Sequence, residues 1–355
     1  MKKLISLLVV LVLVFSLVAC TTNQPAQSQP ASSQETSSSA SAPEAKEPAG
    51  LHPMKKDGPL KIAFVPIVMN TMYNMVVNGC NEQIQKYGGA EFGELLVQAP
   101  SANTSSIEAQ IEILNNLLQQ DIDVILLSSE SDEAMIPLID EAAEKGIPTI
   151  MFNMSGLSEG NKYIANVSFS NFEAAKQMGI WVGEHYSEPT KIGVLEGYPG
   201  VINDDKVAGF KAGIAPYPNL EIVASQPANW NRAEGQSVTE NMLTANPDIK
   251  FIAGLYDEMS LGAIAAIKQQ GLLGQVGVGG IDCTPDGRDS ILAGEMSVTI
   301  DTASKEMGRL LMEACKRYLK DGESFDINYY VEAMNGCLVT YDATNIDQFD
   351  VSNYN

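Results

Sequence analysis

Short β-rich runs alternate with amphipathic helical segments along most of this chain, and that alternation limits the possible folds more than any other feature. The first series has runs at 61–65, 122–127 and 147–152, with helical patterns at 105–119 and 131–145. The second series has runs at 191–195, 221–224, 250–255 and 275–281, with helical patterns at 233–245 and 259–270. Strands separated by helices pair in parallel and are covered by those helices. The sequence therefore predicts an α/β fold of two lobes, each with a doubly wound, mostly parallel sheet.

Local signals support the predicted helices. The apolar residues of the segment at 105–119 fall on one helical face, and Ser105 with Glu108 forms a capping box at its start. The segments at 131–145 and 259–270 are followed by Gly146 and Gly271, which suit the left-handed residue that ends many helices. These signals indicate where the helices begin and end.

The ends of the predicted strands indicate where a ligand would bind. Ligands on open parallel sheets bind beyond the carboxyl ends of the strands. The polar or aromatic residues that follow strands here are Asn70, Glu130, Asn153, Glu196, Tyr256 and Asp282. A site between the two lobes would draw on this set.

Charge excludes one large class of partners. Acidic residues outnumber basic ones by 44 to 22, and the net charge is −22. No run of Lys or Arg after the first three residues is longer than Lys55-Lys56. Because attraction to phosphates requires a basic patch, we predict no nucleic-acid partner.

The first 20 residues are typical of the signal peptide of an exported lipoprotein. Lys2 and Lys3 precede an apolar stretch at 4–19, which is shorter than the roughly 20 residues that a membrane-spanning helix needs. The stretch ends in Leu17-Val18-Ala19-Cys20, which resembles the lipobox of bacterial lipoproteins. This resemblance implies that Cys20 is lipidated and becomes the mature N-terminus. An ordinary secretory signal with an accidental cysteine is the alternative.

Residues 21–57 are predicted to be a disordered tether. Residues 21–50 contain no Leu, Ile, Val, Met, Phe, Tyr or Trp, so this segment cannot build a core. Such a tether lets a folded domain stand off the membrane to which its lipid is anchored. The predicted location is therefore extracytoplasmic and lipid-anchored. The missing Asp after Cys20 and the Ser-Gln-Pro-rich tether favour a Gram-positive cell surface.

Three motifs resemble the type I periplasmic solute-binding family, in its ribose-binding branch, whose members feed ABC importers. The motifs are Ala224-Ser-Gln-Pro-Ala-Asn-Trp-Asn-Arg232, Tyr256-Asp-Glu-Met-Ser-Leu-Gly-Ala263 and Gly280-Ile-Asp-Cys-Thr-Pro-Asp-Gly287. The resemblance covers residues 61 to about 324. It implies two flavodoxin-like lobes joined by three hinge strands, which close on one small ligand in a monomer. Lobe 1 would comprise 58–166 with 303–331, and lobe 2 would comprise 167–302 with 332–355.

The resemblance also implies a set of ligand-binding residues. Asp282 matches the family's hydroxyl-binding aspartate, and a carboxylate accepts hydrogen bonds from two hydroxyls at once. Trp230 and Tyr73 fall at aromatic positions whose rings would sandwich a sugar ring, with simple core packing as the alternative. Asn70 falls at a further contact position. The full set of expected ligand-binding residues is Asn70, Tyr73, Asn153, Lys206, Trp230, Tyr256, Asp282 and Thr302.

The chain departs from the ribose-binding pattern at four places. Asn153-Met154 stands where sugar-binding relatives have Asp-Arg, and Lys206 stands where an Arg is expected. Tyr256 replaces an Asn, and Asp301-Thr302 replaces a Gln at the hinge. Losing two guanidiniums removes about ten N–H donors, which disfavours ribose itself.

The predicted charges favour a neutral ligand. The acidic candidates for the pocket are Glu196, Asp257, Asp282 and Asp301, with only Lys206 opposing them, so an anionic ligand is disfavoured. We predict a small, neutral, sugar-like ligand that is delivered to an ABC permease. A nucleoside, a polyol or a cationic metabolite is the alternative, and presentation of the ligand to a chemoreceptor or sensor kinase is an alternative role.

Catalysis and metal binding find little support. Ser158 lies in a G-x-S-x-G pattern, but no helix follows it directly, and neither His52 nor His185 is placed to act as its base. Neither C-x-x-C nor H-E-x-x-H spacing occurs, and no phosphate-binding glycine motif is present. We therefore predict no enzyme activity, no catalytic residues, no metal and no cofactor.

Four cysteines remain after Cys20, namely Cys80, Cys283, Cys315 and Cys337. Free buried thiols are predicted for them. In an exported protein a disulfide between Cys80 and Cys315, both on predicted helices of lobe 1, is the alternative.

Overall fold

Two sheets organise the computed structural model, which describes residues 51–101, 106–154 and 162–354. The first sheet has five strands, all parallel, in the order β2-β1-β3-β4-β5. These strands are β1 (Leu60–Val65), β2 (Gly93–Val97), β3 (Val124–Leu127), β4 (Thr149–Phe152) and β5 (Ala165–Val167). With the helices that cover it, this sheet forms the first lobe.

The second sheet has six strands in the order β11-β10-β9-β8-β6-β7. The strands are β6 (Thr190–Glu196), β7 (Leu220–Pro227), β8 (Ile249–Gly254), β9 (Gly277–Ile281), β10 (Val298–Asp301) and β11 (Val339–Asp342). All neighbours are parallel except β11, which runs antiparallel to β10. This sheet and its helices form the second lobe.

Helices cover both sheets. The first lobe has α1 (Thr71–Lys86), α2 (Ser106–Leu117), α3 (Asp132–Glu144), α9 (Ser304–Lys316) and α10 (Tyr329–Asn335). The second lobe has α4 (Asn171–His185), α5 (Val201–Ile214), α6 (Arg232–Ala245), α7 (Asp257–Gln269) and α8 (Pro285–Leu292). The closest helix pairs are α1 with α9, α4 with α5, and α6 with α7.

Both sheets share one topology, and the predicted fold class is confirmed. When the strands of the second sheet are numbered from β6, their order is again 2-1-3-4-5, the flavodoxin-like order, with β11 added at the edge. The chain crosses between the lobes three times, at 168–170, at 302–303 and at 336–338. For comparison, the predicted lobe divisions lie at 166/167, 302/303 and 331/332, and α10 packs against β5 of the first lobe.

The predicted helix ends agree with the structure where it describes them. Ser131 caps α3 by accepting a hydrogen bond from Ala134 N at 3.3 Å. Gly146 and Gly271 have φ angles of 75° and 71°, as the sequence predicts for left-handed residues after helices. Ser105, the predicted cap of α2, lies outside the described residues.

Four strands have no counterpart among the runs predicted from the sequence. β2, β5, β10 and β11 have three to five residues each, and β2 and β11 are edge strands with partly exposed side chains. Such short strands lack the long apolar run that marks a buried one. The four described cysteines are free, as predicted, and three of them are buried. Within the described ranges, no helix is both long enough and apolar enough to span a membrane.

Candidate ligand-binding site

A cavity lies where the carboxyl ends of the two sheets face each other. Ligands bind at this position in open parallel sheets. Both lobes contribute to its lining, which consists of Ile67, Asn70, Met72, Tyr73, Asn153, Ile202, Lys206, Trp230, Tyr256 and Asp282.

The first-lobe wall is a chain of neutral hydrogen bonds. Asn70 caps α1, and its Oδ1 accepts from Tyr73 N at 3.0 Å. The Tyr73 hydroxyl bonds to Ser128 Oγ at 3.0 Å and accepts from Asn153 Nδ2 at 2.9 Å. Among the described residues, no partner exists for the buried Oδ1 of Asn153. A ligand hydroxyl would donate a hydrogen bond to this acceptor. A buried acceptor without a partner costs about 1–3 kcal/mol of stability.

The second-lobe wall carries the charges. Asp282 follows β9, and its Oδ1 accepts from Thr302 Oγ1 at 2.9 Å. Lys206 extends from α5, where its Nζ donates to Leu255 O at 3.1 Å and lies 5.1 Å from the centroid of the Trp230 ring. Trp230 packs edge-on against Tyr256, with 6.4 Å between the ring centroids. One carboxylate and one ammonium therefore face the cavity beside two aromatic rings.

Burial shifts the pKa values of both charged groups. It raises the pKa of Asp282, while Lys206 and the Thr302 hydrogen bond oppose that rise. It lowers the pKa of Lys206, while Asp282, Glu130 and Asp257 oppose that fall. Each shift disfavours the charged form of its group, as expected where water is excluded. Hydroxyl groups of a ligand would replace part of this lost solvation.

Residues with strained backbone conformations cluster around the cavity. Six described residues other than glycine have positive φ angles, and three of them line it, namely Asn153 at 50°, Trp230 at 54° and Asp282 at 97°. Asparagine tolerates the left-handed region, whereas Trp rarely adopts it, and the 97° of Asp282 lies beyond the usual range of about 50–70°. Strain of this kind persists where the surrounding structure fixes side chains for function.

Direct contacts join the two lobes beside the cavity. Thr71 Oγ1, at the start of α1, donates to Glu258 Oε1 of α7 at 3.0 Å. The Tyr256 hydroxyl accepts from Met72 N at 3.4 Å. These bonds place the two lobes in a closed arrangement.

Seven of the eight residues expected in the site line the cavity, and Thr302 is the exception. Thr302 is buried behind Asp282 and acts on it through the hydrogen bond described above. Three residues that the sequence analysis missed, Ile67, Met72 and Ile202, also line the cavity. Their apolar side chains carry no sequence signal that separates a cavity lining from a core.

The predicted excess of acids in the pocket is wrong. Asp257 is fully buried and accepts bonds from Thr284 N at 2.6 Å and Thr299 Oγ1 at 2.7 Å, so it joins strands and loops of the second lobe. Asp301 and Glu196 also lie outside the cavity lining. Asp282 is thus the one acid in the described lining, and Lys206 balances it.

Other residues that the sequence singled out lie away from this cavity or outside the described residues. His185 stacks on Trp181 near the end of α4, with 4.0 Å between ring centroids. Within the described part of the chain, no cluster of His, Cys, Asp and Glu could hold a metal ion. Ser158 and Cys20 lie outside the described residues.

A small cavity lined by both of two flavodoxin-like lobes defines a solute-binding protein that encloses its ligand. A family model described as a periplasmic binding protein domain matches residues 62–324. The chain therefore belongs to the periplasmic binding protein family, in its type I, ribose-like branch.

Relatives and solved structures agree with this assignment. The chain is 30% identical over 244 residues to the ribose import binding protein of Haemophilus influenzae, covering 68% of this chain and 80% of the relative. It is 29% identical over 223 residues to the galactofuranose-binding protein of Escherichia coli, covering 61% and 70%. An ABC transporter solute-binding protein from Actinobacillus succinogenes, solved with D-allose, superposes with a TM-score of 0.72 at 27% identity, covering 82% of this chain and 100% of that protein.

Proposed function

We propose that this protein captures a small, neutral, sugar-like ligand between its lobes and delivers it to the permease of an ABC importer, without catalysing a reaction. The observation that carries the proposal is the cavity whose polar groups come from both lobes. Because Asn153 belongs to one lobe and Asp282 to the other, a ligand that bonds to both favours the closed form. The permease would recognise that form.

The available hydrogen-bonding groups favour hydroxyls on the ligand. Asp282 and the free Oδ1 of Asn153 are acceptors, whereas Lys206 and the free amide nitrogen of Asn70 are donors. A hydroxyl both donates and accepts, so it can satisfy either kind of group. The described lining holds one acid, Asp282, and one base, Lys206, so its charges balance and give no net attraction for an anion or a cation. The named relatives bind ribose and galactofuranose, and one structural neighbour contains D-allose.

Membrane attachment is the second part of the proposal. The apolar leader and the lipobox-like sequence that ends at Cys20 support a lipid anchor on the outer side of the cell membrane. We further propose that residues 21–50 act as a tether and that the protein works as a monomer. Residues 51–57, which were predicted to belong to the tether, instead pack on the first lobe, where Leu51 is buried and Met54 N donates to Tyr318 O at 2.8 Å. Labelling of expressing cells with radioactive palmitate would test the anchor. The parent protein should take up the label, and Cys20→Ser should not.

Thermal unfolding with a ligand panel tests the binding function. The full-length chain would be heated with D-ribose, D-allose, D-galactose, myo-inositol, adenosine and spermidine. Ligand at a thousandfold excess over Kd adds about 4 kcal/mol, which raises the Tm by several degrees. We expect a hit among the sugars or the inositol. The proposal fails if no compound shifts the Tm and mass spectrometry of the denatured protein finds no co-purified small molecule.

A further inference from the structure

Glu130 belongs to the first lobe but bonds to the second. It lies just after β3, and its Oε1 accepts a hydrogen bond from Trp230 Nε1 at 3.2 Å. Its backbone carbonyl accepts from Val201 N at 3.2 Å, whereas its buried Oε2 has no partner among the described residues. The residue is only 3% exposed. Glu130 therefore contacts both Trp230 and the first turn of α5.

The start of α5 depends on this contact. The first N–H groups of a helix have no partners within the helix, and a polar side chain just before the helix commonly accepts from one of them. Gly200 occupies that position and has no side chain to do so. The backbone carbonyl of Glu130 takes this role from the opposite lobe by accepting from Val201 N, and its carboxylate lies beside Gly200 at the end of the helix that favours negative charge. This cap can exist only while the lobes are closed.

Gly200 allows Glu130 to approach closely because it has no side chain. Its φ angle is 156°, and a Cβ atom there would lie 2.6 Å from Glu130 O and 2.7 Å from Glu130 Oε2. Real Cβ atoms do not approach other atoms so closely, so any larger residue would force the two lobes apart. The close fit thus joins one residue of each lobe.

We propose that Glu130 is a closure latch, a positioning residue outside the cavity lining that fixes Trp230 and α5 when the lobes meet. Both elements matter for the ligand, because Trp230 and Lys206 of α5 line the cavity. Closure is thereby coupled to the placement of an aromatic ring and a cation. The inference rests on the proposed function, since a latch has a role only if the lobes close on a ligand.

Cross-linking across the cleft measures closure without a ligand. Thr71 Oγ1 and Glu258 Oε1 lie 3.0 Å apart on opposite lobes, so Thr71→Cys with Glu258→Cys places two thiols together in the closed form. The parent is the full-length chain with these changes and Cys337→Ser, which removes the one described native thiol that is not buried. It is kept in mild detergent. The initial rate of reaction with a short bismaleimide then reports the closed fraction.

Four variants of this parent test the latch. Glu130→Ala removes the hydrogen bond to Trp230 and should lower the rate about fivefold, the usual effect of losing one such bond, and Gly200→Ala should lower it at least as much. Glu130→Gln should keep the rate, because its amide oxygen still accepts. The matched control is Gly274→Ala, at a glycine that also has a positive φ, of 78°, but no atom within 4 Å of an added Cβ. It should leave the rate unchanged.

The outcomes separate the latch from the binding function. Parent rates in both Glu130→Ala and Gly200→Ala would overturn the latch, and if Glu130→Ala does not fold, Gly200→Ala decides alone. Adding D-ribose, D-allose or D-galactose to the parent should raise the rate if the protein captures sugars. An unchanged parent rate with every sugar counts against sugar capture, whereas the comparison of variants still judges the latch.

Discussion

The two walls of the cavity offer a ligand different kinds of contact. The first-lobe wall, made by Asn70, Tyr73 and Asn153, uses neutral groups that already bond to one another. The second-lobe wall, made by Lys206, Trp230, Tyr256 and Asp282, combines two buried charges with strained backbone at Trp230 and Asp282. The neutral wall is therefore set before the ligand arrives, whereas the charged wall is costly until a ligand completes it.

This difference assigns distinct roles to the lobes. A preorganised neutral wall loses little free energy on binding and contributes shape and a few weak hydrogen bonds. Charge-assisted bonds are about twice as strong, so the second lobe should supply most of the binding free energy. When the lobes close, the first-lobe wall contacts a ligand that is already bound to the second-lobe wall.

The largest effect is expected at Asp282. Asp282→Ala should weaken binding of the best sugar of the panel by about 2–4 kcal/mol, because it removes charge-assisted hydrogen bonds to hydroxyls and leaves Lys206 facing the cavity without its opposing charge. Titration calorimetry would measure the change. Asp282→Asn, which better tolerates the positive φ, separates loss of charge from loss of shape.

An exposed acid provides the control for this change. Asp248 lies on the surface of the same lobe and pairs with Lys191 at 2.6 Å. Asp248→Ala should leave the affinity unchanged. An affinity that also survives Asp282→Ala would remove Asp282 from the site and reverse the proposed roles of the two lobes.

A smaller effect is expected from the neutral wall. Asn153→Ala removes one acceptor for the ligand and the bond to the Tyr73 hydroxyl, so affinity should fall by about 1–2 kcal/mol. Tyr73→Phe, which removes only the two bonds of the Tyr73 hydroxyl within the wall, is the matched comparison in the same calorimetric titration and should cost less affinity. If Asn153→Ala costs more than Asp282→Ala, the contrast between the walls is wrong.

A further effect is a pH dependence that acts through the latch. Burial raises the pKa of Glu130 from 4.5 to about 7 in the closed form, while Trp230 and Ile202 oppose the rise. The ionisable groups that interact with it are Tyr73, Tyr198, Asp204 and Lys206.

The sign of this effect follows from the raised pKa. Closing takes up a proton between pH 4.5 and about 7, so the stabilisation is complete below that range and is lost as the pH rises through about 7. Affinity for the sugar, measured by calorimetry, should therefore fall between pH 5 and pH 8. Glu130→Gln should flatten this profile, and a profile that stays steep would assign the titration to another group.

The fold could be predicted because its signals are local. Apolar runs, capping residues and the glycines after α3 and α7 mark seven of the eleven described strands and four of the ten described α-helices. β2, β5, β10 and β11 were not among the predicted runs because short strands are specified by pairing with distant neighbours such as β1, β4 and β9, which no local pattern records.

The site could be predicted in part. Residues that follow parallel strands must meet at one edge, and this rule together with the family resemblance selected seven residues of the lining. The apolar lining residues and the placement of Asp257 and Thr302 depend on side-chain packing. The role of Glu130 depends on how two lobes meet, which a one-dimensional pattern does not contain.

Small-angle X-ray scattering tests the central claim most directly. The radius of gyration of the full-length chain would be measured without ligand and at saturation with the panel compound that gives the largest Tm shift. Closure around a ligand bound by both walls predicts a smaller radius of gyration at saturation, and Asp282→Ala should require more ligand to reach it. An unchanged radius of gyration for a protein shown by calorimetry to be saturated would contradict capture by closure.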